Sequence, residues 1–290
     1  MQLREVILAA IVIVAAASGP SLAQGAAPGV PVVTPQVRQP QGMAPAKAWT
    51  ITLGVAPVLA PAWQGSKTTA FSIYPDVRLN YRDMVFASIP DGLGWNMINR
   101  EGWKLGPLVK LRFRRDEAKG GSPFLIAGES AALIGLGDVP AAGEAGGFAQ
   151  YSLPGTRIRL RAEVRQGFGG HDGVIADTVV SYNGRAGTWL YSFAGRATFA
   201  GAGYTRAYFG VDAAQSAASG LAEYTAGAGV VSYGVNAGIV RPLSANSAIT
   251  LFAGYDRLGD AAAASSLVRE RGQRGQFSAG LGYGFRFGWD

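Results

Sequence analysis

An all-β chain, folded as a transmembrane, antiparallel, up-and-down β-barrel of about 12 strands, is what this sequence predicts. Three observations carry the prediction. In residues 277–287, Phe277, Ala279, Leu281, Tyr283, Phe285 and Phe287 fall on one face of a strand, while Ser278, Gly280, Gly282, Gly284 and Arg286 fall on the other. Successive strand side chains point to opposite faces, so one face is greasy and aromatic and the other small or charged. That strand lies nearly at the C-terminus of a chain that starts like a secretory precursor, a placement that suits a barrel with lipid outside and a lumen inside. Finally, the chain is 48% hydrophobic, yet beyond its leader it has no unbroken apolar run of the roughly 20 residues a spanning helix needs. Its 42 glycines favour strands and tight turns over long helices.

The elements follow in order. Arg4 opens a short n-region diluted by Glu5, residues 6–17 (VILAAIVIVAAA) form an apolar core, and Ser21-Leu22-Ala23 supplies small residues before a cleavage point. Residues 1–23 are expected to be a Sec-type signal peptide, too short for a bilayer span. Residues 24–46 carry prolines at 28, 31, 35, 40 and 45 and have little to bury, so they are expected to form a disordered or extended periplasmic leader. The barrel is assigned to residues 47–290.

Period-two alternation begins with Trp49, Ile51, Leu53 and Val55 and continues through Phe71–Tyr81. Residues 84–97 make a weaker third strand, broken by Pro90-Asp91-Gly92, and Trp103–Phe113 a fourth. A long connection, 115–142, precedes a strand near 143–152. In the next, Ile158, Leu160, Ala162 and Val164 oppose Arg157, Arg159, Arg161, Glu163 and Arg165. Further strands fit 173–183, 187–200, 203–210, 226–241, 247–257 and 275–288, with turn chemistry at Leu153-Pro154-Gly155, Asn183-Gly184 and Pro242 to Asn246. Segment 203–210 is the weak one. It is counted because bacterial single-chain barrels have an even number of strands, which gives 12; the count is ten if two weak segments are loops. A secreted β-sandwich would also alternate. The barrel is preferred because aromatics recur near strand ends (Trp49, Tyr81, Trp95, Trp103, Tyr151, Tyr182, Trp189, Phe287), as interface girdles require.

The chemistry excludes more than it offers. Absence of cysteine removes disulfides and thiolate chemistry. The one histidine, His171, sits in Gly169-Gly170-His171-Asp172-Gly173, with no serine marked as its partner; a turn residue is the simpler reading than a Ser–His hydrolase. Asp256 and Asp260 are scattered acids, not a calcium loop. The glycine clusters lack the context of a phosphate-binding loop. No cofactor and no catalytic or metal-binding residue is expected.

The net charge of +7 does not indicate nucleic acid, because the cations alternate along strands. Arg78, Lys110, Arg112, Arg114, Arg157, Arg159, Arg161, Arg165 and Arg286, with Asp76, Glu163 and Asp177 among them, are expected to line the lumen. Two readings compete. The charges pair into a plug, or they line an open, anion-preferring pore. A barrel of 12 strands or fewer is narrow enough for side chains to fill, which favours the plug.

An ordered set of short motifs points further. Pro61-Ala62-Trp63-Gln64-Gly65-Ser66 comes first, followed by Tyr74-Pro75-Asp76, Tyr81-Arg82-Asp83 and Phe86-Ala87. Gly135-Leu136-Gly137-Asp138-Val139 lies in the long connection. Arg165-Gln166-Gly167 leads to Gly170-His171-Asp172-Gly173, then Tyr208-Phe209-Gly210-Val211, Gly220 and Tyr224. Arg257-Leu258-Gly259-Asp260-Ala261 precedes the closing strand, which reaches Phe287. From Trp49 to Phe287 the chain resembles the MipA/OmpV family of outer-membrane proteins. There are two departures: Ser266 stands where the family often has proline, which is expected to loosen that loop, and Gly288-Trp289-Asp290 extends past the usual terminal aromatic that assembly machinery reads. The resemblance implies an integral barrel in outer-membrane lipid. For the founding member it implies a non-enzymatic scaffold joining a lytic transglycosylase and a penicillin-binding protein in peptidoglycan remodelling; other members are described as porin-like or adhesive. If the 115–142 connection is periplasmic, it and the leader 24–46 are candidate docking surfaces.

Overall fold

A computed structural model describes residues 47–290. The expected signal peptide and proline-rich leader lie outside the described residues. The strands are β1 (Trp49–Pro61), β2 (Thr69–Tyr81), β3 (Val85–Ser88), β4 (Gly92–Trp95), β5 (Ile98–Arg100), β6 (Trp103–Arg112), β7 (Leu125–Ala127), β8 (Ala142–Ser152), β9 (Ile158–Gly169), β10 (Val174–Ala186), β11 (Trp189–Ala200), β12 (Gly229–Pro242), β13 (Ser247–Leu258) and β14 (Gly275–Trp289). Three α-helices interrupt them, α1 (Ala202–Phe209), α2 (Ala213–Ser219) and α3 (Asp260–Ala263), with a 3-10 turn at Ala131–Leu133 and a π-helical turn at Leu267–Arg271. All pairings are antiparallel. The ring runs β1-β14-β13-β12-β11-β10-β9-β8-β6-β4-β3-β2 and returns to β1, so 12 strands close a barrel. Closure removes the sheet edges that lipid could not solvate.

Alternation explains the wall. On β14, Phe277, Leu281, Tyr283 and Phe287 are exposed on the outer face, while Gln276 and Ser278 are buried inside. Phe277 and Phe287 stand ten residues apart, about 34 Å along a strand and about 26 Å along the axis at a tilt near 40°, against roughly 25 Å for an outer-membrane apolar band. Girdles mark both limits. At one end Trp49 packs on Tyr81 with ring centroids 4.5 Å apart and on Trp289 at 6.3 Å, and Trp103 stacks on Tyr151 at 4.5 Å. At the other, Phe168, Phe199, Tyr233, Tyr255 and Phe277 are exposed. The last strand runs through Gly288 to Trp289, so the extension past Phe287 is part of the wall.

Connections are asymmetric. The segments 82–84, 101–102, 153–157, 187–188 and 243–246 are short and lie at the end that holds Trp49 and Trp289. The long segments 113–141, 201–228 and 259–274 lie at the opposite end. Short turns belong to the periplasmic side and long loops to the cell surface. The 115–142 connection is therefore at the outer end, which removes it as a periplasmic docking surface.

Two strand assignments differ from the sequence reading. Segment 203–210 is the helix α1, which buries Tyr204, Thr205, Tyr208 and Phe209. Two pairs in that set are spaced by four residues, the repeat of a helical face. Segment 84–97 is two short strands, β3 and β4, turned at Pro90-Asp91-Gly92 and continued by β5. The total of 12 survives because a strand gained there replaces the one lost to α1.

The low β3–β4 hairpin leaves a seam. β2 pairs with β3 only over Arg78–Tyr81; higher up it pairs with β7, and its Ile73 N–H donates to the Phe124 carbonyl at 3.0 Å. Pro75 stands on this edge, where a strand tolerates a missing donor. β4 reaches β6 only at Leu108 and Val109. Among the described residues, segment 122–127 makes no backbone hydrogen bond to β6; aromatic contacts of Phe124 with Tyr74 (5.3 Å) and Phe113 (6.2 Å) fill the seam.

Candidate functional site

The outer mouth is closed by a packed core. Trp63, Leu133, Leu136, Tyr204, Tyr208, Phe209, Val211, Leu221, Leu258 and Leu267 are all buried in one cluster drawn from the outer loops. Their polar groups tie loop to loop. Arg115 donates to the Tyr208 carbonyl at 2.6 Å, Ser265 to that of Phe209 at 2.6 Å, Gln215 to that of Leu136 at 2.7 Å, and Trp63 Nε1 to Ser130 Oγ at 3.2 Å. Arg271 donates to the carbonyls of Ala132, Ile134 and Ser219. Ser266, expected to loosen its loop, instead fastens it: the buried hydroxyl donates to the Ala222 carbonyl at 2.6 Å, a bond proline could not make.

Most motif positions gather in or beside this cap. Gly65, Gly135 and Gly137 have φ of 115°, 89° and 72°, the left-handed region that favours glycine. At Gly135 an added Cβ would also lie 2.8 Å from the Ala218 backbone. Ser66 is buried and bonds the Thr68 N–H at 2.9 Å. Asp138 accepts from the Glu117 N–H at 2.9 Å, Gly210 follows α1, and Val211 bridges Tyr224. Gly259 precedes α3, and Asp260 faces Arg274 at 3.5 Å. Gly170, His171 and Gly173 form the β9–β10 connection, and Phe287 stands apart in the lower girdle.

Beneath the cap lies a network of charges on the inner faces of β6, β8, β9 and β10. Glu144 is its hub, only 1% exposed. It accepts from Arg112 Nε at 2.5 Å and Arg165 Nε at 2.8 Å, and meets His171 Nε2 at 3.2 Å. Arg165 also donates to Glu163 at 2.5 Å and Asp177 at 2.5 Å. Glu163 in turn pairs with Lys110 and Arg161, each at 2.8 Å, and Asp177 accepts from Thr198 Oγ1 at 2.6 Å. Four cations thus share three carboxylates. A buried charge needs this density of partners, because unpaired burial costs several kcal/mol, on the order of 3–5 when one partner of a pair is lost.

His171 belongs to this network. Its Nδ1 accepts from the Gly173 N–H at 3.3 Å, which assigns the proton to Nε2, the atom facing Glu144. Gly167 makes room: a Cβ there would stand 2.0 Å from the imidazole. Among the described residues no serine hydroxyl bonds His171. The rings of Tyr204 and Tyr208 sit edge-on to the imidazole at 5.2 and 6.1 Å, and the Arg112 guanidinium lies over the same two rings at 5.1 and 5.9 Å. α1 therefore seats the cap directly on the lumen charges. Burial pushes both phenols above the ordinary tyrosine range, against a smaller pull from Arg112, so they stay neutral. Burial lowers the Arg115 guanidinium to about 10, with Tyr208 and Tyr204 opposing.

The remaining sequence candidates are spread. Asp76 and Arg78 pair on β2 at 2.7 Å, half-buried. Arg159 shares the inner face of β9 with Arg161 and Glu163. Arg286 lies at the periplasmic rim, 3.5 Å from the Ala245 carbonyl. Arg114 and Arg157 are not in the lumen. Arg114 follows the end of β6 and pairs with Asp116 and Asp138 in the outer loop; Arg157 is exposed in the turn before β9. Both alternate in phase with their strands but lie beyond the strand ends.

Three participants were not singled out from sequence: Glu144, Arg196 and Arg115. Glu144 is the one acid of β8, in phase with its inward residues. Arg196 on β11 pairs with Asp256 on β13 across β12, where Gly234 leaves the gap, since a Cβ there would lie 2.3 Å from Asp256 Oδ1. Asp256 is thus an ion-pair partner of Arg196, and Asp260 one of Arg274. Among the described residues no group of three or more potential metal ligands occurs.

Fold, girdles and lumen define an integral outer-membrane β-barrel whose outer mouth is closed by its own loops. The profile of the MltA-interacting protein MipA family matches residues 53–287, and the chain belongs to that family. Comparison with curated proteins gave no significant match. Among solved structures, an outer membrane channel from Pseudomonas putida F1 is similar at 14% identity and a TM-score of 0.43, covering 86% of this chain and 100% of that one. An anion-selective porin from Comamonas acidovorans aligns at 10% identity and a TM-score of 0.30, covering 82% and 98%.

Proposed function

We propose that this protein is a non-enzymatic outer-membrane scaffold that brings a lytic transglycosylase, and with it a penicillin-binding murein synthase, to the inner surface of the outer membrane. Membership of a family named for interaction with MltA is the observation that carries the reading. The packed core at the outer mouth and the pairing of lumen cations with carboxylates support it over the alternative, a porin-like channel for small anions, which calls for cations free to attract solute. The bonds of His171 to Glu144 and to a backbone N–H support a structural role for it over that of a general base. In this reading residues 1–23 direct export and are removed, assembly machinery inserts the barrel, and residues 24–46 form a periplasmic leader.

The test is co-purification. The full-length protein, extracted in mild detergent with and without crosslinker, is expected to retain a lytic transglycosylase. Recovery of no murein enzyme in either condition overturns the scaffold. Planar-bilayer recording addresses the alternative: a large, steady, anion-selective conductance would establish the channel instead.

A further inference from the structure

The periplasmic rim carries an arginine at or beside each of its turns and at the closing strand: Arg82, Arg100, Arg157, Arg185, Arg241 and Arg286. The rim has three acids, and two are taken. Lys104 holds Asp83 at 2.5 Å, and Lys47 holds Asp290 at 2.6 Å. Glu101 alone remains for six guanidinium groups, and among the described residues none of the six makes an ion pair. The outer loops differ: segments 113–141, 201–228 and 259–274 contain seven cations and eight acids. Most of the positive excess of the described residues is thus on the periplasmic side.

The six divide between the two faces of the wall. Arg82 lies over the Tyr81 ring at 5.4 Å, Arg241 over the Trp189 ring at 5.0 Å, and Arg100 pairs in register with the exposed Trp103. These three sit on the lipid side with the girdle, where cations and aromatics anchor to headgroups. Arg157, Arg185 and Arg286 have the opposite phase. Arg185 follows Ser181 and Asn183 on the inner face of β10, Arg286 follows Gln276 and Ser278 on that of β14, and Arg157 precedes Arg159. They border the mouth and face away from the headgroups. Arg185 and Arg286 are oriented by carbonyls of neighbouring turns, Gly187 at 2.7 Å and Ala245 at 3.5 Å.

We propose that this mouth docks a carboxylate-rich segment of a periplasmic polypeptide, held by Arg157, Arg185 and Arg286. Arg157 and Arg185 stand on neighbouring strands, but β10 and β14 are four strands apart in the ring, so at about 4.8 Å per strand one phosphate or acetate cannot reach all three cations. An extended acidic chain spans them. Arginine suits the task, since its planar fork takes a carboxylate bidentately. The inference rests on the scaffold reading and specifies the surface and the partner's chemistry.

The test uses the full-length protein in lipid nanodiscs and a dye-labelled, glutamate-rich peptide, with a lysine-rich peptide as control. The acidic peptide is expected to bind, more weakly as salt rises, and the control not. The triple variant R157Q/R185Q/R286Q is expected to weaken binding by about tenfold or more, as loss of several exposed ion pairs implies. The triple variant R82Q/R100Q/R241Q, on the lipid side, is expected to leave it unchanged; heat-dependent gel mobility verifies that both variants fold. Equal binding of the two peptides, equal loss in the two variants, or displacement by inorganic phosphate at the peptide's own concentration each overturns the proposal. Its fate separates from that of the scaffold reading in the pull-down. A transglycosylase recovered equally with wild type and with the mouth variant overturns the docking surface alone; one never recovered overturns the scaffold.

Discussion

Glu144→Gln is the substitution on which the lumen network is most open to measurement. The glutamine has the same size, but it removes the charge and turns an amide NH2 toward one of two arginine Nε donors that now point at carboxylate oxygens 2.5 and 2.8 Å away. Arg165 retains Glu163 and Asp177, so its share of the loss is modest. Among the described residues Arg112 has no other ion-pair partner and keeps only its contact with the Tyr204 and Tyr208 rings. Breaking a buried pair costs about 3–5 kcal/mol; with Arg165 still compensated, a loss of about 3 kcal/mol is expected. The comparison is Asp76→Asn, which breaks a pair whose side chains are 22–23% exposed and is expected to cost at most about 1 kcal/mol. Urea unfolding in lipid vesicles, followed by tryptophan fluorescence, measures both. If E144Q falls within about 0.5 kcal/mol of D76N, the idea of a tightly coupled, solvent-poor lumen core is wrong.

Four further outcomes are expected. Gly167→Ala drives a methyl into the His171 ring and is expected to cost about 2 kcal/mol, whereas the double variant with His171→Ala loses about 1 kcal/mol less than the sum of the single changes, as a double-mutant cycle in the same unfolding assay reports. Ser266→Ala removes the bond to Ala222 and is expected to lower stability by about 1 kcal/mol or slightly more, with faster limited proteolysis of loop 259–274. Partial burial pushes the Asp116 carboxyl up, but the N–H groups of Ala118 and Lys119 and the Arg114 guanidinium outweigh it and hold it below the ordinary range. Its contribution is therefore complete above a pH of about 4 and lost as pH falls through the lower folded value, so Asp116→Asn is expected to flatten the acid side of a thermal-stability profile taken from pH 7 to 3. Hydrogen exchange is expected to be fastest, within the wall, at Leu125–Ala127 and the facing edge of β6; protection there equal to that of β12 and β13 would show that the seam is sealed.

Period-two alternation made the wall legible because lipid and lumen impose opposite demands on neighbouring residues. The same rule misread α1. Tyr204 and Tyr208 are four apart, a spacing that is even and so fits a strand, and also fits one turn of helix. Nothing in eight residues separates the two; the packing of the loops decides. The β3–β4 hairpin was hidden differently. Each of its strands spans four residues, too few for a clear period, although Pro90-Asp91-Gly92 marked the turn. The cap could not be read at all from alternation, because its core is assembled from loops far apart in sequence: Trp63, Leu133, Tyr204 and Leu267 meet only after the barrel brings their strands together.

The charges show why composition alone points to the wrong place. A net +7 in a barrel suggests an anion pathway lined along its length. Strand register resolves the sum differently. Deep in the lumen, Lys110, Arg112, Arg161 and Arg165 face Glu144, Glu163 and Asp177, and Arg196 faces Asp256. In the outer loops acids match bases. Most of the unmatched excess is the ring of periplasmic arginines, whose members, Arg157 among them, lie near strand ends where alternation is weakest. An anion attracted to that ring finds paired charges above it and a packed hydrophobic core beyond them. This distribution of charge is what the docking proposal rests on: it places the unpaired guanidinium groups at the periplasmic mouth and the paired ones inside the wall.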